Sequence, residues 1–224
     1  METGRTAFER EGAAHFPHVL SSDDVERLRL LADESLGDRP GVRLSGDQWL
    51  ADLLTTGTPC RVAASLTSDA ARPVRAVMFD KSPEANWSVA WHQDRTIPVK
   101  ARVDAAGFGP WSTKDGVLHV APPFEILTRM TTLRLHLDNV DEANAPLWIA
   151  VGTHCIGRIA ASAATGEAGR AEQRLCLAET GDIWAYGTSI LHASDRASGQ
   201  RCRRVLQVDY ADFELPGGLE WKGF

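Results

Sequence analysis

The apolar residues change their period near residue 73, and that change limits the folds open to the chain. Before it, Val25, Leu28, Leu31, Ala32 and Leu36 recur three and four apart, the spacing of one helix face. After it, Leu133, Leu135 and Leu137 alternate with Arg134, His136 and Asp138, which predicts a half-buried strand. Further short strands are expected over 74–79, 87–92, 97–103, 147–151, 173–177, 183–186, 189–192 and 203–210. The N-terminal part predicts helices. Residues 6–11 end at Gly12, and 14–20 form an extended piece. Ser21, Ser22, Asp23 and Asp24 then cap a second helix with hydroxyls and carboxylates. Residues 48–54 form a third, and Thr58 with Pro59 opens a fourth through about 66. Residues 107–117 read as a long loop, Pro122 and Pro123 open a short helix, and 157–170 read as a mobile loop or loose helix.

Helices followed by many short strands imply a mainly β fold with flanking helices (α+β). The expected architecture is a double-sheet jelly roll braced by N-terminal helices, cupin-like in shape. Nothing divides the 224 residues, so one domain over 1–224 is expected, mainly helical over 1–72 with a jelly-roll core over 73–212. A net charge of −6 argues against a nucleic-acid surface. No apolar run approaches the ~20 residues of a membrane span, and the start lacks a signal core, so a cytoplasmic protein is expected. Cys60, Cys155, Cys176 and Cys202 show no metal or redox spacing and read as reduced, mostly buried thiols.

The chemistry is expected at Trp91-His92-Gln93-Asp94. On an extended segment, residues two apart point to the same side, so His92 and Asp94 converge. His192, in an apolar run that follows Gly181 and Asp182, is the best third ligand. His154 is its rival. Two imidazoles and one carboxylate with open positions are the pattern of non-haem Fe(II) oxygenases.

These residues carry a resemblance. Met78-Phe79-Asp80-Lys81, Trp91-His92-Gln93-Asp94, the stretch Leu133 to Asp138, Gly152-Thr153-His154, Gly181-Asp182, His192-Ala193-Ser194 and Arg203-Arg204 resemble the phytanoyl-CoA dioxygenase family. The family comprises Fe(II)/2-oxoglutarate oxygenases. The resemblance implies a distorted double-stranded β-helix, Fe(II) as metal, and 2-oxoglutarate and dioxygen as cosubstrates. It also implies oxidative decarboxylation of 2-oxoglutarate to succinate and carbon dioxide, with hydroxylation of a small-molecule substrate. Family members that halogenate lack the ligand carboxylate, so Asp94 implies hydroxylation or desaturation. Arg203, eleven residues after His192, matches the residue that holds the far carboxylate of 2-oxoglutarate, and Ser194 matches a hydroxyl that assists it.

Two arguments disagree on Arg203 against Arg204. Periodicity sets Arg204 on the more apolar face with Leu206, Val208 and Tyr210, whereas spacing from His192 favours Arg203, which is the residue expected. Arg134 and His136 share a strand face and are the candidates for substrate or cosubstrate contacts. Lys81, Asn86 and Lys100 read as solvated surface, His15 and His18 as structural or exposed, and His154 as a structural cap. The competing readings are a redox-inert, zinc-type metalloenzyme and a non-catalytic jelly-roll binding domain.

Overall fold

The computed structural model describes residues 2–82, 85–199 and 201–223. Helix α1 (Glu2–Glu11) is followed by α2 (Ser22–Leu36), α3 (Gln48–Thr56), α4 (Thr58–Leu66), α5 (Phe124–Thr128) and α6 (Ala164–Arg170). Ser21 caps α2, its Oγ accepting from the Asp24 amide at 3.1 Å. Asp47 caps α3 in the same way through Leu50 at 2.7 Å. Gly57, and not Thr58, caps α4: this residue also ends α3 by donating to the Leu53 carbonyl, so the two helices share one turn.

The strands in chain order are β1 (Ala13–Phe16), β2 (Gly41–Arg43), β3 (Arg72–Lys81), β4 (Val89–His92), β5 (Ile97–Pro98), β6 (Trp111–Lys114) and β7 (Val117–Val120). They continue with β8 (Thr131–His136), β9 (Leu147–Ala150), β10 (Gln173–Cys176), β11 (Ile183–Gly187), β12 (His192–Ser194) and β13 (Arg203–Ala211). Six form one sheet in the order β1-β11-β8-β13-β3-β2, and four form a second in the order β10-β9-β12-β4. Residues of both sheets line one cavity, so the two face each other as a jelly roll. The helices cover the outer side of the larger sheet. Leu28, Leu50, Leu54 and Ala63 pack there against Met78, Leu135, Leu206 and Tyr210.

That layering explains several departures from expectation. Strand β8 is buried along its whole length, because one face lies under helices and the other lines the inside of the jelly roll. Its alternation marks two interiors rather than core and solvent. The N-terminal part is not only helical: β1 pairs with β11 and β2 with β3, extending the larger sheet. Residues 107–117 contain β6, which pairs with β7 around a two-residue turn at Asp115 and Gly116. Both turn residues have positive φ, 49° and 76°, which is why Asp-Gly suits the position. The strand expected over 97–103 shortens to β5 plus one bridge from Val99 to Trp221. The strand expected over 189–192 begins only at His192. Of the four cysteines, only Cys176 is buried; Cys60 is half-buried, and Cys155 and Cys202 are exposed. Among the described residues, no helix is long and apolar enough to cross a membrane.

Tyr210 ties the sheet to α3. Its buried hydroxyl donates to the Leu54 carbonyl at 2.8 Å. Tyr210→Phe is expected to cost about 1–2 kcal/mol, the usual loss when a buried carbonyl is left without its donor. Urea unfolding checks this: the midpoint falls and the slope stays unchanged.

Candidate metal centre and its cavity

Antiparallel pairing of β4 with β12 sets His92 directly opposite His192. The two imidazoles lie 4.2 Å apart between ring centroids, tilted by 57°. Strand β4 ends at His92, so Asp94 sits just past it rather than on it. Its carboxylate still reaches the same point. One ligand atom from each of His92, Asp94 and His192 lies within 4.8 Å of the others.

Local hydrogen bonds fix how each donor is presented. His92 Nδ1 is 2.8 Å from the Ala90 carbonyl, and His192 Nδ1 is 3.0 Å from the Ile190 carbonyl. A carbonyl only accepts, so each Nδ1 carries the proton and each Nε2 keeps its lone pair. Gln93, between two of the ligands, turns away and is buried. It donates to the Gly157 and Ser189 carbonyls and accepts from the Ile159 amide, at 3.0, 2.7 and 2.9 Å. Thr153 braces the other side: its hydroxyl donates to the Ala150 carbonyl at 2.7 Å and accepts from the Leu191 amide at 3.0 Å.

Arg75 lies behind Asp94. It meets Asp94 at 3.4 Å and Asp209 at 2.6 Å. Burial alone would raise the Asp94 pKa, but Arg75, with His192 and His92, outweighs it and holds the carboxyl below its usual range. Asp209 ends raised, because burial is the larger effect there. Burial, reinforced by His92, lowers His192 to about 4, which keeps this imidazole neutral.

The three donors open into a cavity of about 420 Å³. Val77, Phe79, Trp87, Val89 and Leu147 supply apolar wall, and Arg43, Arg75, Arg134 and Arg203 supply cations. Arg203 is 3% exposed, and its Nη1 donates to the Ala145 carbonyl. Its Nε has no partner among the described residues. Burial and the nearby Arg134 lower its pKa to about 9. Ser194 also lines the cavity. Arg204 faces the other way and binds Asp138 at 3.0 Å and Asp33 at 3.1 Å.

Arg134 lines the cavity, whereas His136, also buried, lies outside its lining. Lys81 corrects the surface reading. It is 0% exposed, and its Nζ donates to Ser194 Oγ at 2.9 Å and to the Asp195 carbonyl at 2.6 Å. Burial lowers its pKa to about 7, with Arg203 adding to the effect. Asn86 is half-buried and bridges both ways to Ala197, while Lys100 is exposed as expected. His15 bonds Asp182 at 2.8 Å, and His18 is exposed. His154 packs over Gly12, where any Cβ would stand 2.3 Å from its Nδ1. Arg75, Asp209 and Gln207 were not singled out by the sequence, where charged or amide residues inside apolar strands were the available signal; Gln93 figured only as part of the ligand motif.

A jelly roll whose cavity gathers two imidazoles and one carboxylate has the architecture of non-haem Fe(II) oxygenases. The chain belongs to the phytanoyl-CoA dioxygenase (PhyH) family, whose sequence model matches residues 8–205. That family uses Fe(II), 2-oxoglutarate and dioxygen. No curated protein matches the sequence. Among solved structures, the fold is similar to the non-haem α-ketoglutarate-dependent epimerase SnoN from nogalamycin biosynthesis. That match has a TM-score of 0.71 at 18% identity, covering 97% of this chain and 84% of SnoN. The carbocyclase SnoK from the same biosynthesis gives 0.69 at 14%, covering 94% and 83%. HygX from Streptomyces hygroscopicus, with nickel and 2-oxoglutarate bound, gives 0.65 at 13%, covering 94% and 87%.

Buried histidines also set a pH response. Burial lowers His119 to about 4 and His136 well below the usual value. Below about pH 6.5 the unfolded chain takes up protons that these folded imidazoles refuse. Stability is therefore complete above that pH and falls as pH drops toward 4, by up to about 1.4 kcal/mol per pH unit for each histidine. Urea unfolding at pH 7 and pH 5 measures the loss, and His119→Asn is expected to flatten the dependence.

Proposed function

We propose that this protein is a non-haem Fe(II)- and 2-oxoglutarate-dependent oxygenase that hydroxylates a small molecule. The observation that carries this reading is the convergence of His92, His192 and Asp94 at one cavity that also contains the buried guanidinium of Arg203. The donors fit the metal. Both Nε2 atoms keep their lone pairs, Asp94 is held ionised, and a set of two nitrogens and one oxygen on one side suits Fe(II) with open positions. In this reading His92, Asp94 and His192 hold the iron. Bound iron supplies the chemistry by which dioxygen decarboxylates 2-oxoglutarate to succinate and oxidises a substrate C–H bond.

The chain's own residues position and isolate the reactants. Arg203 takes the far carboxylate of 2-oxoglutarate, for which a buried, two-pronged cation is suited. Ser194 assists, with its hydroxyl held by Lys81. Arg75 aims Asp94. Phe79, Trp87, Val89 and Leu147 keep water from the reacting carbon. Epimerisation and carbocyclisation, the activities given for SnoN and SnoK, leave no dioxygen-derived atom that hydroxylation would add. Mass spectrometry of product formed under ¹⁸O₂ separates them: hydroxylation adds one ¹⁸O atom.

Alanine at His92, Asp94 or His192 is expected to abolish stoichiometric iron binding while circular dichroism stays that of the parent. His154→Ala should keep its iron. Iron retained by His192→Ala and lost by His154→Ala would reassign the third ligand.

Arg203→Ala is expected to weaken 2-oxoglutarate about 100-fold, roughly 3 kcal/mol, the scale of breaking a buried charge pair. Arg204→Ala should change it less than about threefold. The 2-oxoglutarate dependence of succinate release ranks the two, and the opposite ranking sinks the assignment.

A further inference from the structure

Four arginines line the cavity, and two already have carboxylates. Arg75 holds Asp94 and Asp209, and Arg43 holds Asp115. Arg203 and Arg134 have no carboxylate partner among the described residues. The reading above gives Arg203 the far carboxylate of 2-oxoglutarate, which leaves Arg134.

Arg134 is 6% exposed. Its Nη1 donates to Gln207 Oε1 at 3.0 Å, the Tyr186 hydroxyl lies beside the guanidinium, and its Nε has no partner among the described residues. The register explains the placement. Arg134 lies opposite Gln207 on β13, and both line the cavity between the sheets. Its charge is felt at His192 on one side and at Arg203 on the other. Arg134, His192 and Arg203 all line this one cavity. Gln207 engages one prong, and a buried cation held only by neutral groups is poorly compensated. A carboxylate matches both the charge and the two-pronged shape.

We propose that Arg134 is a second carboxylate-binding residue of this cavity, separate from Arg203. The inference rests on the cosubstrate reading for Arg203. Its carboxylate comes from one of two sources: the iron-side end of 2-oxoglutarate or an acidic group on the substrate. Gln207 is the positioning residue that orients the guanidinium.

The test uses the Fe(II)-loaded protein under anaerobic conditions, titrated with 2-oxoglutarate and with 2-oxopentanoate, which lacks the far carboxylate. If Arg134 holds the iron-side carboxylate, Arg134→Gln weakens both ligands at least tenfold, whereas Arg203→Gln weakens only 2-oxoglutarate. If it holds the substrate, Arg134→Gln leaves both affinities unchanged. In that case small carboxylic acids, but not their primary amides, stimulate succinate release by the parent, and Arg134→Gln loses that preference. Arg134→Lys keeps the charge and loses the fork, so it is expected to fall between parent and Arg134→Gln, and it serves if Arg134→Gln does not fold. Unchanged affinities together with no preference for acids over amides overturn the proposal. A parent that binds no 2-oxoglutarate refutes the cosubstrate reading instead. The proposal is then decided by direct titration of the acids and amides, where an acid preference lost in Arg134→Gln supports it and equal binding overturns it.

Discussion

At the base of the cavity one guanidinium serves two carboxylates. Arg75 meets Asp94 and Asp209, and without it two buried anions would face each other in a medium that screens them poorly. The arrangement is also a register constraint. Arg75 pairs directly with Asp209 where β3 runs beside β13. Sliding β13 by one residue would turn Asp209, Gln207 and Arg203 toward the helices and bring Leu206 and Val208 into the cavity. The position of the Asp94 carboxylate, the charge of the cavity and the strand pairing are thus one condition seen three ways.

The two faces of β13 explain why periodicity misleads. Arg204 shares a face with Leu206, Val208 and Tyr210, and a reader of the sequence takes the apolar face as the inward one. It is inward, but toward the helical layer. The polar face, with Arg203, Val205, Gln207 and Asp209, looks into the jelly roll, where Arg203 and Gln207 line the cavity. In a three-layer arrangement of helices, sheet and sheet, a central strand has two buried sides, and the site lies on the more polar one. Spacing from His192 points to the residue that lines the cavity because it counts along the chain and is blind to polarity.

The helical cap at Ser21 and the candidate ligands His92, Asp94 and His192 were legible because each depends on short-range pattern or on residue type. Lys81 was not. Its partners Ser194 and Asp195 lie more than a hundred positions away, and a lone lysine near a loop looks like surface until the chain closes over it. The β6–β7 hairpin was legible in principle: Asp115 and Gly116 form its two-residue turn, but β6, Trp111 to Lys114, is too exposed and polar to alternate visibly. The exposed thiols of Cys155 and Cys202 show the reverse, since composition alone places cysteine inside.

Gln93 separates the shape of the ligand segment from its chemistry. Its amide is anchored at three backbone points, so the turn between His92 and Asp94 is held by a residue that donates nothing to the metal. Replacing the carboxylate next to it changes the donor set without loosening those anchors. A scaffold of this kind lets inherited sequence change trade one reaction outcome for another by a single substitution at a ligand position, while the backbone that presents the remaining donors is kept.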